Sequence, residues 1–215
     1  MNQGTLAKML QRAVDIQQIP APTFAEQARA EFVRNAFIAE GLADVLIDPI
    51  GNVMACLPGQ GTAFPLVVSA HLDTVFPIDT DLSLVCNGEH IHGPGIGDNA
   101  VGIAGLFGLM WSIQHQGIVL PGDVWFLGNV CDVGLGDLVG MRAIVDRFGA
   151  EVLAYVILEG MALGQIYHRG LSVTRYRISM HTMGGHSWAD YGRPSAVHEL
   201  GALIHNITSI NIPEN

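Results

Sequence analysis

Two helices are predicted at the start of the chain from the spacing of apolar residues. Residues 5–19 carry apolar side chains at helical intervals, and the prolines of residues 20–22 end the pattern. A second helical stripe runs through residues 24–37. Thr23 and Glu26 have the spacing of a capping box, in which two side chains bond backbone amides at a helix start. We therefore expect this pair to cap the second helix.

Strands and helices are predicted to alternate through the next hundred residues. Residues 44–57 alternate around turn residues 49–52, which indicates a hairpin. Near-continuous apolar runs, typical of parallel strands covered on both faces, occupy residues 65–70, 124–130 and 152–158, and helical patterns occupy residues 101–115 and 138–148. This alternation predicts an α/β fold with a mostly parallel sheet.

The pattern changes near residue 172, where we place a domain boundary. Residues 172–180 alternate as in an antiparallel strand with one face in solvent, and a helix is predicted from about residue 193 to 207. The prediction is therefore an α/β domain in residues 1–171 and the first strand and helix of an incomplete second domain in residues 172–215.

Composition narrows the function classes. Hydrophobic residues make up 49% of the chain and charged residues 14%, which is typical of a folded protein. The net charge of -10 argues against a nucleic-acid partner, because such proteins need clustered cations. The apolar stretch 100–113 is shorter than the ~20 residues of a membrane span and is expected to be a buried helix. Three cysteines without paired spacing, and no signal-like N-terminus, indicate a cytoplasmic protein.

Acidic and imidazole groups follow three of the predicted strands, and one more acid begins the buried helix. They are His71, Asp73, Asp98, Asp132 and Glu159. Singly, each could be structural, as a core histidine, a helix cap or a paired carboxylate. Together at one sheet edge, the carboxylates would repel one another unless a cation lay among them. Nitrogen and carboxylate oxygen ligands without thiolate are typical of a catalytic zinc, cobalt or manganese site.

Two further segments resemble known site motifs in part. The glycine-rich residues 93–97 lack the lysine of a phosphate loop and the spacing of a dinucleotide-binding loop. Residues 185–189 approach the GxSxG pattern of a serine hydrolase with Ser187 as nucleophile, but alanine stands at the last position. A serine esterase is therefore kept as a less favoured alternative.

Five segments, in order, resemble the motifs of the co-catalytic zinc peptidases and deacylases, which include glutamate carboxypeptidase, aminoacylase, acetylornithine deacetylase and succinyl-diaminopimelate desuccinylase. The segments are residues 69–76, 95–102, 134–143, 158–160 and 184–187, the third being closest in style to the glutamate carboxypeptidase branch. The resemblance covers nearly the whole chain and the N-terminal half of the family. It implies a three-layer α/β/α zinc-peptidase catalytic domain, followed by the start of a ferredoxin-like α+β lid or dimerisation domain.

The resemblance also implies roles for individual residues. The metal ligands would be His71, Asp98 and Glu159, with Asp98 bridging to a second metal and followed by a cis peptide to Asn99. The catalytic residues would be Asp132 as general base, Asp73 as the group that orients His71, and His186 as the lid histidine that assists the scissile carbonyl, often across a dimer.

Two departures from the family pattern concern the second metal. The family has a Glu-Glu pair where this chain has Asp132 and Val133, and valine cannot coordinate a metal. The family's last ligand is a histidine near the end of a chain about twice as long, beyond Asn215. We therefore expect one intact zinc site, with cobalt or manganese as possible substitutes, and a degraded second site.

The resemblance thus implies a metal-dependent amidohydrolase. It would use metal-activated water to cleave a small peptide or an N-acyl amino acid, with weak activity in this chain and with a possible homodimer formed through the lid. A catalytically inactive relative that binds metal or an amino acid is the alternative. The sequence predicts neither a nucleic acid nor a membrane as partner.

Overall fold

The computed structural model describes residues 3–160, 164–170 and 173–211 of the 215. They belong to two compact units, Met1–Tyr167 and His168–Asn215. The domain boundary predicted between residues 171 and 172 falls on residues outside the described ones and stays a prediction.

The first unit contains the predicted helices and strands in the predicted order. Its helices are α1 (Gln3–Gln17), α2 (Gln27–Ala39), α3 (Val101–His115) and α4 (Val139–Phe148). Its strands are β1 (Ala43–Ile47), β2 (Val53–Leu57), β3 (Leu66–His71), β4 (Val85–Asn87), β5 (His90–His92), β6 (Val124–Asn129) and β7 (Ala154–Ile157). The short β4–β5 hairpin was not predicted from the sequence.

Five of these strands form one sheet in the order β1-β2-β6-β3-β7. Strand β3 lies parallel to both β6 and β7, whereas β2 is antiparallel to β1 and β6. Four of the five strands therefore run in the same direction, and the predicted mostly parallel sheet is confirmed. The carboxyl ends of β3, β6 and β7 share one edge.

Helices cover both faces of this sheet. On one face α1, α2 and α3 pack on β2, β3 and β6 through a core that includes Phe37, Val68, Phe107 and Phe126. On the other face Ile144 of α4 packs among residues of β2, β3 and β6. The three-layer α/β/α arrangement is confirmed.

Helix α3 is a core helix of this unit. The stretch Ile96–His115 is long and apolar enough by composition to cross a membrane, but 56% of its most apolar window is buried within the fold. Burial against the sheet accounts for its apolar character without a bilayer.

Strand β7 differs from the prediction. We expected each parallel strand to be covered on both faces, but Val156 and Ile157 of β7 are 40% and 47% exposed. Among the described residues β7 pairs only with β3 and lies at the edge of the sheet, so it has a neighbour on one side alone.

The predicted capping box is wrong. Helix α2 begins at Gln27, which places Thr23 outside its first turn, and Glu26 at the N-cap makes no side-chain capping bond. Both side chains bond other parts of the chain instead, Thr23 to Asp73 and Glu26 to the backbone of Cys131.

The second unit contains one of its two predicted elements. Helix α5 (Ala196–Thr208) is present where a helix was predicted. The strand predicted over residues 172–180 is wrong for residues 173–180, which have no regular structure. A strand requires a hydrogen-bonded neighbour, and the described part of this unit supplies none.

Phe107 tests the core formed by the three helices on one face. Its ring is fully buried, stacks on Phe37 with 4.7 Å between centroids, and lies 5.8 Å from Trp111. We expect Phe107→Ala to lower the free energy of unfolding in denaturant by about 3–5 kcal/mol. The matched control is Phe64→Ala, at a side chain 62% exposed, which should change it by less than ~0.5 kcal/mol. Equal losses in the two variants would contradict this core assignment.

Candidate metal site

The edge formed by the ends of the parallel strands brings the predicted site residues together. His71 is the last residue of β3 and pairs in register with Asn129, the last residue of β6. Asp132 and Glu159 lie shortly after the ends of β6 and β7, and Asp98 lies in the irregular turn Ile96–Ala100 that precedes α3. The arrangement follows from the parallel strands, whose carboxyl ends meet at one edge.

Two carboxylates face the imidazole of His71. Its Nε2 lies 2.9 Å from Asp98 Oδ1 and 3.6 Å from Glu159 Oε1. Ligand atoms bound to one tetrahedral zinc at ~2.0–2.2 Å stand roughly 3.3 Å apart, so both separations suit a shared metal. Among the residues described, no lysine or arginine forms an ion pair with either carboxylate.

Asp132 also belongs to this cluster. Possible ligand atoms of His71, Asp132 and Glu159 all lie within 4.8 Å of one another. The family resemblance implies that Asp98, His71 and Glu159 are the ligands and that Asp132 is the base. In the structure the carboxylates of Asp98 and Asp132 both lie near the His71 imidazole.

The Asp98 carboxylate carries an unsatisfied oxygen. Asp98 Oδ1 is buried and has no hydrogen-bond partner in the described part of the chain, although the His71 nitrogen is 2.9 Å away. Two atoms so close without a hydrogen bond are placed as ligands of a common cation would be. The residues present therefore fit a divalent metal. The peptide between Asp98 and Asn99 is cis, as the resemblance implied.

Close backbone packing holds Glu159 against the Asp98 turn. A Cβ on Gly160 would lie 1.9 Å from the carbonyl oxygen of Gly97, so no larger residue fits there. The Asn99 side chain donates to the Leu158 carbonyl at 2.8 Å. These contacts fix the chain directly after β7 beside the turn that carries Asp98.

The His71 ring is oriented by the residue two positions along the chain. Its Nδ1 lies 2.9 Å from the main-chain oxygen of Asp73 and 3.5 Å from the Asp73 carboxylate. With a metal bound in place of the second proton, donation by Nδ1–H would leave the Nε2 lone pair facing Asp98 and Glu159, which is the form that a metal requires. Burial by itself would lower the pKa of His71, but the surrounding carboxylates outweigh it and raise that pKa to about 10. The pocket therefore strongly favours a positive charge.

The Asp73 carboxylate mainly holds the loop that carries Asp132. It is fully buried and accepts hydrogen bonds from the Thr23 hydroxyl at 2.9 Å and from the backbone amides of Asp132 and Val133 at 3.0 Å. Burial would raise the pKa of Asp73, but these bonds and the contact with His71 hold it below its usual range.

A chain of buried side chains orients the Asp132 carboxylate. The Ser69 hydroxyl donates to Asn129 Oδ1 at 2.6 Å, and Asn129 Nδ2 donates to Asp132 Oδ1 at 2.9 Å. Burial, opposed by the positive charge of His71, raises the pKa of Asp132 above its usual range. Sequence reasoning missed Ser69 and Asn129. Their signal was a polar residue inside each of two apolar strands.

His186 lies in the second unit and begins a turn that its carbonyl oxygen closes by accepting the Asp190 amide at 3.0 Å. Its Nδ1 accepts the amides of Trp188 and Ala189 at 3.2 Å, and its main-chain N–H donates to Asp190 at 2.8 Å. Because Nδ1 is an acceptor, Nε2 carries the proton and is a donor. Among the described residues no hydrogen bond joins Ser187 Oγ to a histidine, and Asp190 pairs with Arg193 at 2.9 Å. This turn therefore gives no support to a serine-hydrolase triad.

Comparison with known proteins gives matches of fold and sequence. The profile of Peptidase family M28 matches residues 52–132, which include His71, Asp73, Asp98 and Asp132. Succinyl-diaminopimelate desuccinylase from Corynebacterium glutamicum is 23% identical over 207 residues, which are 96% of this chain and 55% of that protein. The chain thus spans about half the length of this curated relative.

Solved structures of peptidases share the fold. Aminopeptidase PepT from Bacillus cereus superposes with a TM-score of 0.63 at 20% identity, over 73% of this chain and 44% of that one. The Bacillus subtilis YXEP protein, described as a dinuclear metal-binding peptidase from the M20 family, gives 0.56 at 18% identity, over 73% and 43%. Human carnosine dipeptidase 1 gives 0.59 at 17% identity, over 73% and 39%.

The matched profile contains two of the five motif segments, residues 69–76 and 95–102. The matched profile spans the ends of β3 and β6 and the turn before α3, which bring His71, Asp98 and Asp132 together. The sequence and fold matches therefore support the resemblance of this chain to the co-catalytic zinc peptidases and deacylases.

Proposed function

We propose that this chain carries the metal-binding and water-activating part of a metal-dependent amidohydrolase. The substrate would be a small peptide or an N-acyl amino acid. The observation that carries the proposal is the buried His71 imidazole, whose Nε2 faces the carboxylates of Asp98 and Glu159 with Asp132 in the same cluster. Because the chain spans about half of its curated relative, the activity of the whole protein is part of the proposal.

We propose zinc as the metal, with cobalt or manganese as substitutes. His71, Asp98 and Glu159 would hold it through one nitrogen and two carboxylate oxygens, a donor set that suits these ions. When bound, the metal supplies Lewis acidity, which lowers the pKa of water and polarises a carbonyl. Val133 offers only its backbone to the site, so we propose that each chain holds one metal tightly.

Asp132 is proposed as the general base. Asn129 fixes its Oδ1, and its raised pKa suits a group that takes a proton from water and returns it to the leaving amine. The balanced reaction adds one water across the amide and yields a carboxylate and an amine. The aspartate reaches one methylene less far than a glutamate would, so we expect slow turnover. The Nε2–H of His186 would donate to the carbonyl oxygen.

The assembly and compartment are also proposals. Helix α5 exposes an apolar stripe formed by Val197, Leu200, Ile204 and Ile207, which supports a homodimer through the second unit. The three cysteines are free thiols, which supports a cytoplasmic protein. The charge of -10 leaves nucleic acid out of the proposed partners.

Metal content and metal dependence test the proposal directly. We expect the purified protein to hold close to one metal ion per chain by elemental analysis. A chelator should abolish hydrolysis of N-acyl amino acids and dipeptides, and added zinc or cobalt should restore it, whereas a serine-directed inhibitor should have no effect. Two tightly bound ions per chain, or hydrolysis that survives the chelator, would contradict the proposal.

Two site variants separate metal binding from proton transfer. His71→Ala should lose the tightly bound metal, because the sole nitrogen ligand is removed. Asp132→Asn should keep the metal and lower kcat about 10²–10⁴-fold, the usual contribution of a general base. The exposed Asp146 provides a control, and Asp146→Asn should match the parent protein in both measurements. Loss of the metal in Asp132→Asn would show instead that Asp132 is a ligand.

A further inference from the structure

Glu26 is a buried carboxylate that the proposed mechanism does not use. Only 5% of its surface is exposed, although it stands at the start of α2, where a glutamate could extend into solvent. Its Oε1 accepts the backbone amide of Cys131 at 3.0 Å, and it makes no capping bond with its own helix. Glu26 therefore binds the backbone of Cys131, the residue immediately before Asp132.

The loop that carries Asp132 has consecutive backbone amides bound by side chains. Val130 N–H donates to the Asn52 side chain at 3.0 Å, and Cys131 N–H donates to Glu26. The next two amides, those of residues 132 and 133, donate to Asp73. Cys131 has a left-handed backbone with a φ of 55°, and successive amides around such a residue form a concave anion site. In this protein the carboxylates of Glu26 and Asp73 occupy that anion site.

The positive charge of a buried arginine, Arg29, offsets the negative charges of Glu26 and Asp73. Arg29 is 2% exposed and donates to the main-chain oxygens of Ile19, at 2.6 and 3.0 Å, and Leu72, at 2.6 Å. Burial lowers the pKa of Arg29 to about 10, against the opposing effect of the Asp73 and Glu26 charges, so it stays charged at neutral pH. Because its N–H groups bond carbonyls, the carboxylate oxygens remain available for the loop amides.

We propose that Glu26 is a positioning residue for Asp132, acting through the amide of Cys131, with Arg29 as the counter-charge. Asp73 anchors the loop at the Asp132 and Val133 amides, and Glu26 anchors it one residue earlier. Together these two anchors hold the Asp132 carboxylate in a fixed position near His71 and Glu159. The role of Asp132 as base rests on the proposed function, whereas the anchoring of the loop does not.

Amide hydrogen exchange of the protein as purified tests the anchoring independently of activity. In Glu26→Ala we expect the amides of Cys131 and Asp132 to exchange at least about tenfold faster, since a charge-assisted hydrogen bond is lost. Amides of β3 and β6 should keep their parent rates. Glu31, exposed on the same helix, provides the matched control, and Glu31→Ala should leave all of these rates unchanged. Unchanged exchange at Cys131 in Glu26→Ala, or equal acceleration in Glu31→Ala, would overturn the proposal.

A second variant covers the case in which Glu26→Ala does not fold. Glu26→Gln keeps an acceptor oxygen and the side-chain shape but loses the negative charge, so its bond to the Cys131 amide should be weaker. We expect severalfold faster exchange at Cys131 alone. Exchange identical to that of the parent would overturn the proposal.

Kinetics and metal binding separate positioning from a role in the metal site. In Glu26→Ala the affinity for zinc should stay within about threefold of the parent, because among the described residues no hydrogen bond or ion pair joins Glu26 to His71, Asp98 or Glu159. The kcat should fall about tenfold with KM unchanged, and Glu26→Gln should recover most of it. A loss of zinc affinity equal to that in His71→Ala would overturn the positioning role. If the parent protein shows no hydrolysis, the proposed function fails, while the exchange rates still decide the anchoring.

Discussion

The concentration of negative charge around one buried imidazole governs this structure. Asp73, Asp98, Asp132 and Glu159 all lie near His71, and carboxylates so placed repel one another unless something positive lies among them. The fold meets this constraint in two ways. Asp73 is satisfied by backbone amides and a hydroxyl, which need no ion. Asp98 has a buried oxygen without a partner and faces the imidazole nitrogen, which a cation would satisfy.

The sheet supplies the place where these groups meet, and close packing supplies the precision. Parallel pairing puts the ends of β3 and β6 in register, so that His71 lies beside Asn129 and near the loop that follows. Gly160 lies against the Gly97 carbonyl, which brings the chain after β7 to the turn before α3. Segments distant in sequence are therefore fixed to one another by backbone contacts. The side chains of Asp98 and Glu159 therefore start close enough to His71 to approach its Nε2 within 2.9 and 3.6 Å.

Much of this could be predicted from the sequence, because the signals were periodic or local. The apolar runs gave the parallel strands, and residues directly after them gave His71 and Glu159. Thr23 and Glu26 were misassigned, since their spacing fits a capping box and only tertiary structure shows that they bond Asp73 and Cys131. Residues 173–180 alternate as a strand would, but pairing depends on a neighbour that the local pattern does not contain. Hydrogen bonds between residues distant in sequence, and the presence of a pairing strand, could therefore not be predicted from local patterns.

The departure at Val133 can be understood from the same loop. Its backbone amide donates to Asp73 at 3.0 Å, a bond that any residue other than proline can make. A valine in place of a carboxylate therefore removes a possible metal ligand without removing the contact that shapes the loop. The anchors of Cys131 and Asp132 are likewise made through backbone amides. The loop beside His71 is thus held by the buried acceptors Glu26 and Asp73, and its contacts do not require a carboxylate side chain at position 133.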